Sequence, residues 1–418
     1  MGRWRFLHAA DLHLDRPAVD WGRGRSVPGL DAATASLDAF DRLVSLAQRA
    51  GVAFVLLAGD LYDGPERGLR AQLRFLRGLE RLATAGIGVF VVHGNHDPLE
   101  GWSAIRAFPA SVVVFGSERP VTALAPIGGG RTAAVTGISY ARRDTRENLA
   151  ARMRRSGRAA FEIGLLHANV GGEPDHAPYA PCTARDLAAA RFDYWALGHV
   201  HQRKTLVRAP FIAAYSGTLQ GRGFGAGELG AKGAWLVEVE DGVAVGHRFI
   251  ACDALRFGVS ETSWPADDDL GRYRARLLDI AAEAAHRAGD RPLALRVEVA
   301  GRAALAWLAS GAASDDLARD IEADLAARGR RVRIVDIVPI SPPTAATTAP
   351  SSRPIDQALR VVAGDAAAVD AILRRIDAPL VRAGWLDPDA ATDPAQRDRL
   401  LARARRLIDA VGPAEREA

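Results

Sequence analysis

The segment Gly88–Val92 (GVFVV) carries no polar side chain, and Gly94-Asn95-His96-Asp97 follows it almost at once. A short, continuous apolar run is typical of a strand buried on both faces, as in a parallel sheet. An amide and an imidazole next to each other beyond such a strand suit a site where an oxygen ligand holds a metal and the histidine handles a proton. This stretch therefore predicts a buried sheet with a candidate site at its edge.

The N-terminal part of the chain alternates between two hydrophobic patterns. Residues 3–9, 52–57 and 88–92 are short apolar runs that predict strands, whereas residues 34–49 and 68–85 have apolar residues at helical spacing. This alternation is typical of an α/β layered domain. Further strands are predicted at 112–115, 133–138, 163–166, 194–197, 211–214 and 234–240, with helices near 145–155 and 183–190. We expect this later part to form a second sheet packed face to face with the first.

The character of the sequence changes after residue 255. Residues 256–340 contain two helix-like and two strand-like segments and no cluster of metal-ligand residue types, which predicts a small α+β domain after a first domain of residues 1–255. Residues 341–354 are rich in Pro, Thr, Ser and Ala and predict a linker. Residues 355–418 are polar with helical spacing, so we expect a helical C-terminal region there.

The composition limits the setting in which the protein works. The formal net charge of +4 permits a polyanionic partner without requiring one. Only two cysteines occur, Cys182 and Cys252, so we predict no disulfide framework and a cytoplasmic, reducing setting. No apolar run approaches the roughly 18 residues of a membrane span, and no phosphate-binding loop of the type G-x-x-x-x-G-K-S/T occurs. We therefore expect no membrane association, and any ATP-driven step would need a partner.

Polar residues with metal-binding side chains stand just beyond five of the predicted strands. In chain order they are Asp11, His13, Asp60, Asn95, His96, His167, His199 and His201. In α/β sheets, binding sites gather at the carboxyl ends of strands. A lone histidine at such a position more often has a structural role, but five clusters in this order are hard to reach by chance. We interpret them as one site.

The side chains of this set suit a pair of divalent metals. Imidazole, carboxylate and amide ligands favour manganese, iron or zinc over a metal that prefers thiolates. On extended backbone, Asp11 and His13 would share a side, as would His199 and His201, because residues i and i+2 lie on one face. The two oxygens of Asp60 could bridge two metals, and such a pair activates a water and neutralises charge on a phosphoryl group.

These motifs, in this order, resemble those of the calcineurin-like metallophosphoesterases. The shared elements are Asp11-x-His13, Gly59-Asp60, Gly94-Asn95-His96-Asp97, His167 and Gly198-His199-Val200-His201. The longer segments LHAADLHLD, LLAGDLYD, VVHGNHD, LGHVHQR and YSGTLQGRGFGAGELGAKG resemble the SbcD-type DNA repair exonucleases, in particular their YhaO-like branch. The resemblance covers roughly residues 3–250.

The resemblance implies a four-layer αββα core, two metals that are usually manganese, and a phosphodiester substrate in DNA. It implies one metal on Asp11, His13 and His201, a second on Asn95, His167 and His199, and Asp60 as the bridge. His96 matches a histidine near the scissile phosphate that assists catalysis, and Asp97 would orient it. Archaeal and eukaryotic nucleases of this type have a histidine where this chain has Asp63. Since an ionised acid cannot donate to a phosphate, no catalytic role is predicted for Asp63.

Basic residues that could contact DNA occur in two places. Residues 142–158 contain seven arginines, which on a helix would present a basic stripe to phosphates, although a solvated arginine-rich helix is an equal interpretation. Other basic residues lie nearer the motif loops. The candidate contacts are Arg142, Arg143, Arg203, Lys204 and Arg222. Trp21 and Trp102 could stack on a base, but packing at the rim of a site is the more common role for such residues.

Three functions remain open from the sequence. The resemblance implies a manganese-dependent DNA exonuclease or endonuclease that works in repair with a coiled-coil ATPase. Residues 256–340 would then cap the DNA, and the helices after residue 354 would dock the partner. The second candidate is a phosphatase or (cyclic) nucleotide phosphodiesterase on the same core. The third is a non-catalytic scaffold, which the filled ligand positions disfavour. Members of the family also commonly form homodimers.

Overall fold

The computed structural model describes residues 2–18, 32–64, 67–172, 177–265, 269–300 and 311–340. The predicted linker at 341–354, the predicted helices after it and Trp21 lie outside the described residues. The chain divides into two compact units, and the first, made of residues 1–260, 278–296 and 318–336, holds two six-stranded sheets. The second includes residues 261–277, where Trp264 stacks on Tyr273 with ring centroids 3.7 Å apart.

The described residues form fifteen strands and five α-helices. The strands are β1 (Trp4–Ala9), β2 (Phe54–Ala58), β3 (Gly88–Val92), β4 (Val112–Val114), β5 (Val121–Gly128), β6 (Arg131–Gly137), β7 (Glu162–His167), β8 (Tyr194–Gly198), β9 (Lys204–Val207), β10 (Ile212–Tyr215), β11 (Gly233–Glu240), β12 (Val243–Ala251), β13 (Arg256–Ser263), β14 (Leu293–Ala300) and β15 (Val332–Ile340). The helices are α1 (Ala35–Ala50), α2 (Leu69–Thr84), α3 (Ala184–Ala190), α4 (Leu270–Ala288) and α5 (Gly311–Ala327).

Each large sheet has a run of four parallel strands, flanked by antiparallel strands at one edge of the first sheet and at both edges of the second. The first sheet has the order β12-β11-β1-β2-β3-β4, in which β1 to β4 are parallel and β11 pairs antiparallel with β1. The second has the order β5-β6-β7-β8-β10-β9, with β6, β7, β8 and β10 parallel and the two outer strands antiparallel. Helical crossovers connect β1 to β2 and β2 to β3, as the alternating sequence pattern predicted.

Helices cover the outer face of both sheets. Helix α1 buries Phe40 and Leu43 against the first sheet, together with Phe75 of α2, because these apolar residues recur at helical spacing. Helix α1 ends at Gly51, whose φ of 58° is the left-handed conformation that glycine adopts at low cost. On the second sheet, Leu187 of α3 packs into a separate core. The four-layer αββα arrangement is therefore confirmed.

The core between the two sheets is rich in aromatic side chains. Phe6 stacks on Phe54 with centroids 5.3 Å apart, and Tyr194 of the second sheet meets Phe6 edge-on at 5.2 Å. All three are fully buried. Since side chains alternate along a strand, the next residue, Leu7, points to the helices instead. Strand β1 is thus buried on both faces over most of its length, which explains why most of its residues are apolar.

A third sheet has the order β13-β14-β15. Both helices and both strands predicted within residues 256–340 occur, as α4, α5, β14 and β15, and β13 is additional. None of the helices among the described residues is long and apolar enough to span a membrane.

The predicted helix at residues 145–155 is wrong. Only a single 3₁₀ turn, Ala150–Arg152, forms there, and Met153 returns to extended backbone. The reason is packing, because Leu149, Ala150 and Met153 are all buried in the core beside α3. The predicted basic stripe does not form either. Arg154 donates to the carbonyl oxygen of Met153, and Arg155 donates to the carboxylate of Asp193 at 2.6 Å.

Strands β5, β9 and β12 were not predicted from the sequence. Each lies at or next to a sheet edge and is only partly buried, so its side chains do not form the continuous apolar run that marked the central strands. Val243 and Val245 of β12, for example, are 63% and 52% exposed.

We expect Phe6→Ala to lower the free energy of unfolding by about 3–5 kcal/mol, because the substitution leaves a cavity in the aromatic core between the sheets. Urea denaturation followed by tryptophan fluorescence would measure the change. Val243→Ala, at an exposed position of β12, is the control and should change stability by less than about 0.5 kcal/mol. Equal effects of the two substitutions would contradict the assignment of Phe6 to the core.

Candidate metal centre

The carboxyl ends of β1, β2 and β3 meet those of β7 and β8, and all predicted ligands lie there. The ligand atoms of Asp11, His13 and His201 lie within 4.8 Å of one another, as do those of Asp11, Asp60 and His167. Asn95 extends the second group, because its Oδ1 lies 3.0 Å from His167 Nε2 and 3.2 Å from His199 Nδ1. The structure thus brings together all seven residues that the sequence predicted as ligands.

Hydrogen bonds between neighbouring loops hold these strand ends in place. The backbone N–H of Asp11 donates to Gly59 O and that of His13 donates to Asp60 O, both at 3.0 Å, so pairing between β1 and β2 continues past the strands. The N–H of His199 donates to both carboxylate oxygens of Asp11, at 3.0 and 3.2 Å. This last contact joins the two sheets directly at the site.

Four of the predicted ligands have a backbone conformation that L-residues rarely adopt. The φ angles are 50° at Asp11, 42° at His13, 50° at Asp60 and 104° at His199. Eight non-glycine residues of the described ranges have positive φ, so half of these strained positions belong to the site. Such strain persists where surrounding contacts enforce it, often at functional sites. The expected extended backbone at Asp11-Leu12-His13 and His199-Val200-His201 is therefore wrong, and turns aim these side chains.

Two glycines allow the ligands to approach one another. A Cβ atom at Gly94 would overlap Oδ1 of Asp60 and come within 2.8 Å of His167 Nε2. A Cβ at Gly198 would overlap the carbonyl oxygen of Ala58. Glycine is required at both positions because the backbone passes too close to the ligands for any side chain.

His167 and His199, which lie close to Asn95, each have one ring nitrogen that donates a hydrogen bond. His167 Nδ1 lies 2.9 Å from Ala58 O, and His199 Nε2 lies 2.8 Å from Ala177 O. A carbonyl oxygen only accepts, so these nitrogens carry the protons. The lone pairs of His167 Nε2 and His199 Nδ1 then face Asn95 Oδ1, which is itself an acceptor. Three acceptors in contact need either a proton or a metal ion among them.

The two other histidines have carboxylates behind them. His201 Nδ1 lies 2.8 Å from Glu228 Oε1, and His13 Nδ1 lies 2.9 Å from Asp63 Oδ1. The carboxylate hydrogen-bonded to His201 fixes the tautomer of this ring and leaves Nε2 available to a metal, whereas the contact of Asp63 with His13 is close but lacks hydrogen-bond geometry. Burial opposes the charge on Glu228, but His201 and Arg222 outweigh it and lower the pKa of this carboxyl far below its usual range. Glu228 was not predicted as a site residue, although it lies within the segment YSGTLQGRGFGAGELGAKG that resembles the SbcD-type exonucleases.

Two features of the described residues fit a bound metal ion, namely buried nitrogen atoms without partners and the spacing of the ligand atoms. His13 is fully buried, and its Nε2 has no hydrogen-bond partner among the described residues. Ligand atoms of one octahedral ion, with bonds of about 2.1 Å, lie about 3.0 Å apart. The contacts of Asn95 Oδ1 with His167 and His199, at 3.0 and 3.2 Å, match that spacing. An oxygen- and nitrogen-binding divalent cation would satisfy these buried atoms.

The electrostatics of the site also favour a cation. Burial opposes ionisation of Asp60, but the neighbouring His167 and His96 hold its pKa well below its usual range. Burial likewise opposes protonation of His167, yet the Asp60 carboxylate outweighs it and raises the pKa of His167 to about 9. A proton on His167 is one way to supply the positive charge that these carboxylates require, and a divalent metal is another.

The expectation that Asp97 orients His96 is wrong. The carboxylate of Asp97 accepts from Leu61 N at 3.0 Å and Gly94 N at 2.9 Å, and its Oδ2 lies 2.9 Å from His93 Nδ1. Asp97 therefore holds the loop that carries Asn95 and His96. His96 Nδ1 instead lies 3.2 Å from the carbonyl oxygen of Asp63 and 3.4 Å from its Oδ1. Asp63, for which the sequence predicted no role, stands behind two histidines.

The predicted DNA contacts have different surroundings. Arg142 and Arg143 are exposed, and Arg142 lies 3.7 Å from Glu100 Oε2. Lys204 is exposed, and the Arg203 guanidinium lies 3.9 Å from the ring centroid of Phe249. Arg222 is only 5% exposed and lies behind His201, so it is not placed to contact DNA. Trp102 is 54% exposed, unlike a packed rim residue.

Residues 5–203 match the family of calcineurin-like phosphoesterases. The chain is similar to the uncharacterized metallophosphoesterase YhaO of Bacillus subtilis, with 41% identity over 238 residues, which is 57% of this chain and 58% of that protein.

Two further relatives are more distantly similar. The SbcD component of the nuclease SbcCD from Bacillus subtilis is 25% identical over 276 residues, covering 57% of this chain and 67% of that protein. The DNA double-strand break repair protein Mre11 of Sulfurisphaera tokodaii is 28% identical over 214 residues, covering 49% of this chain and 50% of that protein. The chain thus spans between half and two thirds of the length of these relatives.

We expect Gly94→Ala to weaken manganese binding about tenfold or more, because the added methyl group displaces Asp60 and His167. Isothermal calorimetry would measure the affinity as Mn²⁺ is titrated into the metal-stripped protein. Gly116→Ala is the matched control, since a Cβ there would meet open space. Unchanged affinity in Gly94→Ala would mean that the close approach at this glycine does not form the metal site.

Proposed function

Because residues 5–203 of this chain form a calcineurin-like metallophosphoesterase domain, we propose that the protein is a metal-dependent DNA exonuclease or endonuclease that hydrolyses phosphodiester bonds in DNA repair. One observation carries the phosphodiesterase part of this proposal. Two groups of ligand atoms flank one buried carboxylate, since Asp60 Oδ2 lies 3.4 Å from His167 Nε2 and 4.0 Å from His13 Nε2. A carboxylate between two such groups suits a bridge between two metals.

The ligands of the two metals follow from this division. Asp11, His13 and His201 would hold one ion, Asn95, His167 and His199 would hold the other, and Asp60 would bridge them. The ligand types suit manganese, which we propose as the metal. Two bound divalent ions supply Lewis acidity and lower the pKa of an attacking water. The backbone N–H of His96, which donates to Asp60 Oδ1 at 2.9 Å, helps hold the bridging carboxylate.

His96 is the residue placed to move a proton. It is partly exposed, unlike the buried ligand His13, whose ring centroid lies 5.0 Å away. Its Nδ1 faces the carbonyl oxygen of Asp63, so this nitrogen carries a proton and Nε2 is directed away from that loop. In its doubly protonated form, a histidine so placed can give its Nε2 proton to the leaving oxygen as the phosphodiester bond breaks. Asp97 contributes by holding the loop, through its bonds with Gly94 and Leu61.

DNA is the substrate that the relatives favour. Two similar proteins are named as part of a nuclease and as a DNA double-strand break repair protein. The exposed Arg142, Arg143 and Lys204, with Arg203, are the proposed contacts to the phosphate backbone. From the resemblance we further propose a coiled-coil ATPase partner and a homodimer. In this proposal residues 256–340 cap the DNA, residues 341–354 form a linker, and residues 355–418 dock the partner.

We expect the protein with Mn²⁺ to degrade a linear DNA duplex labelled at one 3′ end, and to cleave a nitrophenyl phosphodiester. His96→Ala should lower kcat on DNA about 10²–10⁴-fold with manganese content unchanged, because the ligands remain and only proton transfer is lost. The loss on the nitrophenyl diester should be smaller, because nitrophenolate leaves with little need for a proton. His286→Ala, at an exposed histidine of α4, is the matched control and should behave as the wild type.

Three other results would change the proposed substrate or the proposed function. Cleavage of the small diester without any action on DNA, even with added ATPase partner, would overturn the choice of substrate and leave the hydrolytic core. Faster cleavage of a nitrophenyl monoester than of the diester would favour a phosphatase. Manganese binding without hydrolysis of any of these esters would contradict the proposed function as a whole.

A further inference from the structure

Two carboxylates stand behind the histidines of a single proposed metal. Asp63 lies behind His13, and Glu228 lies behind His201, at 2.9 and 2.8 Å from the respective Nδ1 atoms. The ring centroids of the two histidines are 5.2 Å apart. The orientation of both rings therefore depends on where these two carboxylates are held.

One buried arginine lies between the two carboxylates. Nη2 of Arg222 donates to Glu228 Oε1 at 3.1 Å, and its backbone N–H donates to Glu228 Oε2 at 2.9 Å. The other terminal nitrogen, Nη1, lies 3.9 Å from Asp63 Oδ1 and has no hydrogen-bond partner among the described residues, so it attracts Asp63 through charge and not through a hydrogen bond. The Arg222 side chain is 6% exposed, against 16% for Glu228 and 26% for Asp63, so solvent screens these charges only partly.

The guanidinium lies behind the ligands and away from the proposed metals. Nη2 of Arg222 is 3.3 Å from His201 Nδ1, the nitrogen that faces Glu228, whereas the metal would bind at Nε2. A residue in this place cannot reach a DNA phosphate without leaving its buried position. The expected DNA contact of Arg222 is replaced by a role inside the protein.

Asp63 connects the same arrangement to His96. Its Oδ1 lies 3.4 Å from His96 Nδ1 as well as 2.9 Å from His13 Nδ1. From the solvent side, Arg16 donates to the same oxygen at 3.1 Å, with its own side chain 42% exposed. A shift of Asp63 would therefore move a metal ligand and the proposed proton donor together.

We propose that Arg222 is a positioning residue that holds Glu228 by hydrogen bonds and attracts Asp63 by charge, and thereby orients His201 and His13 for one of the two metals. The inference rests on the proposed dimetal function, since it concerns ligands of that site. The direction in which manganese affinity changes distinguishes this positioning role from a simple charge effect. A positive charge near a cation site repels the metal, so loss of the charge alone would strengthen manganese binding. Loss of positioning would weaken it, because misdirected ligands cannot share one ion.

The test is manganese titration of the metal-stripped full-length protein by isothermal calorimetry and electron paramagnetic resonance. We expect Arg222→Gln to weaken one of two Mn²⁺ sites about tenfold and to leave the other unchanged, because only His13 and His201 lose their support. Cleavage of the nitrophenyl diester should return towards the wild-type rate as Mn²⁺ is raised. A variant that was merely misfolded would lose both sites and would not be rescued by metal.

If Arg222→Gln does not fold, a second substitution at the same position tests the same role. Arg222→Lys retains the charge but has one nitrogen with which to reach two carboxylates, so it should also weaken one site. Arg3→Gln removes an exposed guanidinium from Glu240 beside the amino end of β1, away from the site, and is the matched control, with affinity within about fivefold of the wild type. The double variant with Arg222→Gln and Glu228→Gln should lose less manganese affinity than the sum of the losses in the two single variants, since the two residues act as a unit.

Unchanged or tighter binding at both sites in Arg222→Gln and Arg222→Lys would overturn the inference. The inference would also be contradicted if the losses of manganese affinity in Arg222→Gln and Glu228→Gln were simply additive in the double variant. These readouts are independent of DNA cleavage. A wild-type protein that binds two manganese ions but hydrolyses no phosphodiester would contradict the proposed function, while the metal titrations would still decide the role of Arg222.

Discussion

The arrangement of the site depends on one buried carboxylate, that of Asp60. It is almost inaccessible to solvent, and an isolated buried charge costs several kcal/mol, on the order of the whole stability of a domain. The protein offsets this cost with a backbone N–H from His96 and with imidazoles from both sheets, His13 of the first and His167 of the second. The two sheets are thus joined at their carboxyl ends by the electrostatic requirement of a single side chain.

A second layer of polar groups makes the histidines useful as ligands. Each of the four proposed histidine ligands has one nitrogen facing a carbonyl or carboxylate oxygen, so the other nitrogen presents its lone pair to the centre. The strained turns at Asp11 and His13 serve the same purpose, because they turn side chains inward that a regular strand would have directed to either face. The cost in stability of strain and burial is concentrated where chemistry is proposed, as is common for functional sites.

The sequence predicted most of the central elements, because their patterns are local. Strands β2 and β3 are buried on both faces and are continuous apolar runs, β1 is mostly apolar, and α1 and α2 show helical spacing. Edge strands such as β12 were missed because their side chains are exposed or only partly buried. The helix predicted at 145–155 failed because burial of Met153 in the core of the second sheet outweighed local helical preference.

The sequence by itself determined which residue types stand at the strand ends, and therefore the likeness to a metal centre and the set of seven ligands. Only the tertiary structure decided which side chain supports which ligand. Asp63 and His96 are 33 residues apart and Asp11 and His199 are 188 apart, so no local pattern reports their contact. The assignment of Asp97 to His96 failed for this reason, since adjacency in sequence did not produce contact. The burial of Arg222 between two carboxylates likewise follows from how the loops pack, because a charged side chain reads the same in sequence whether it faces DNA or the protein interior.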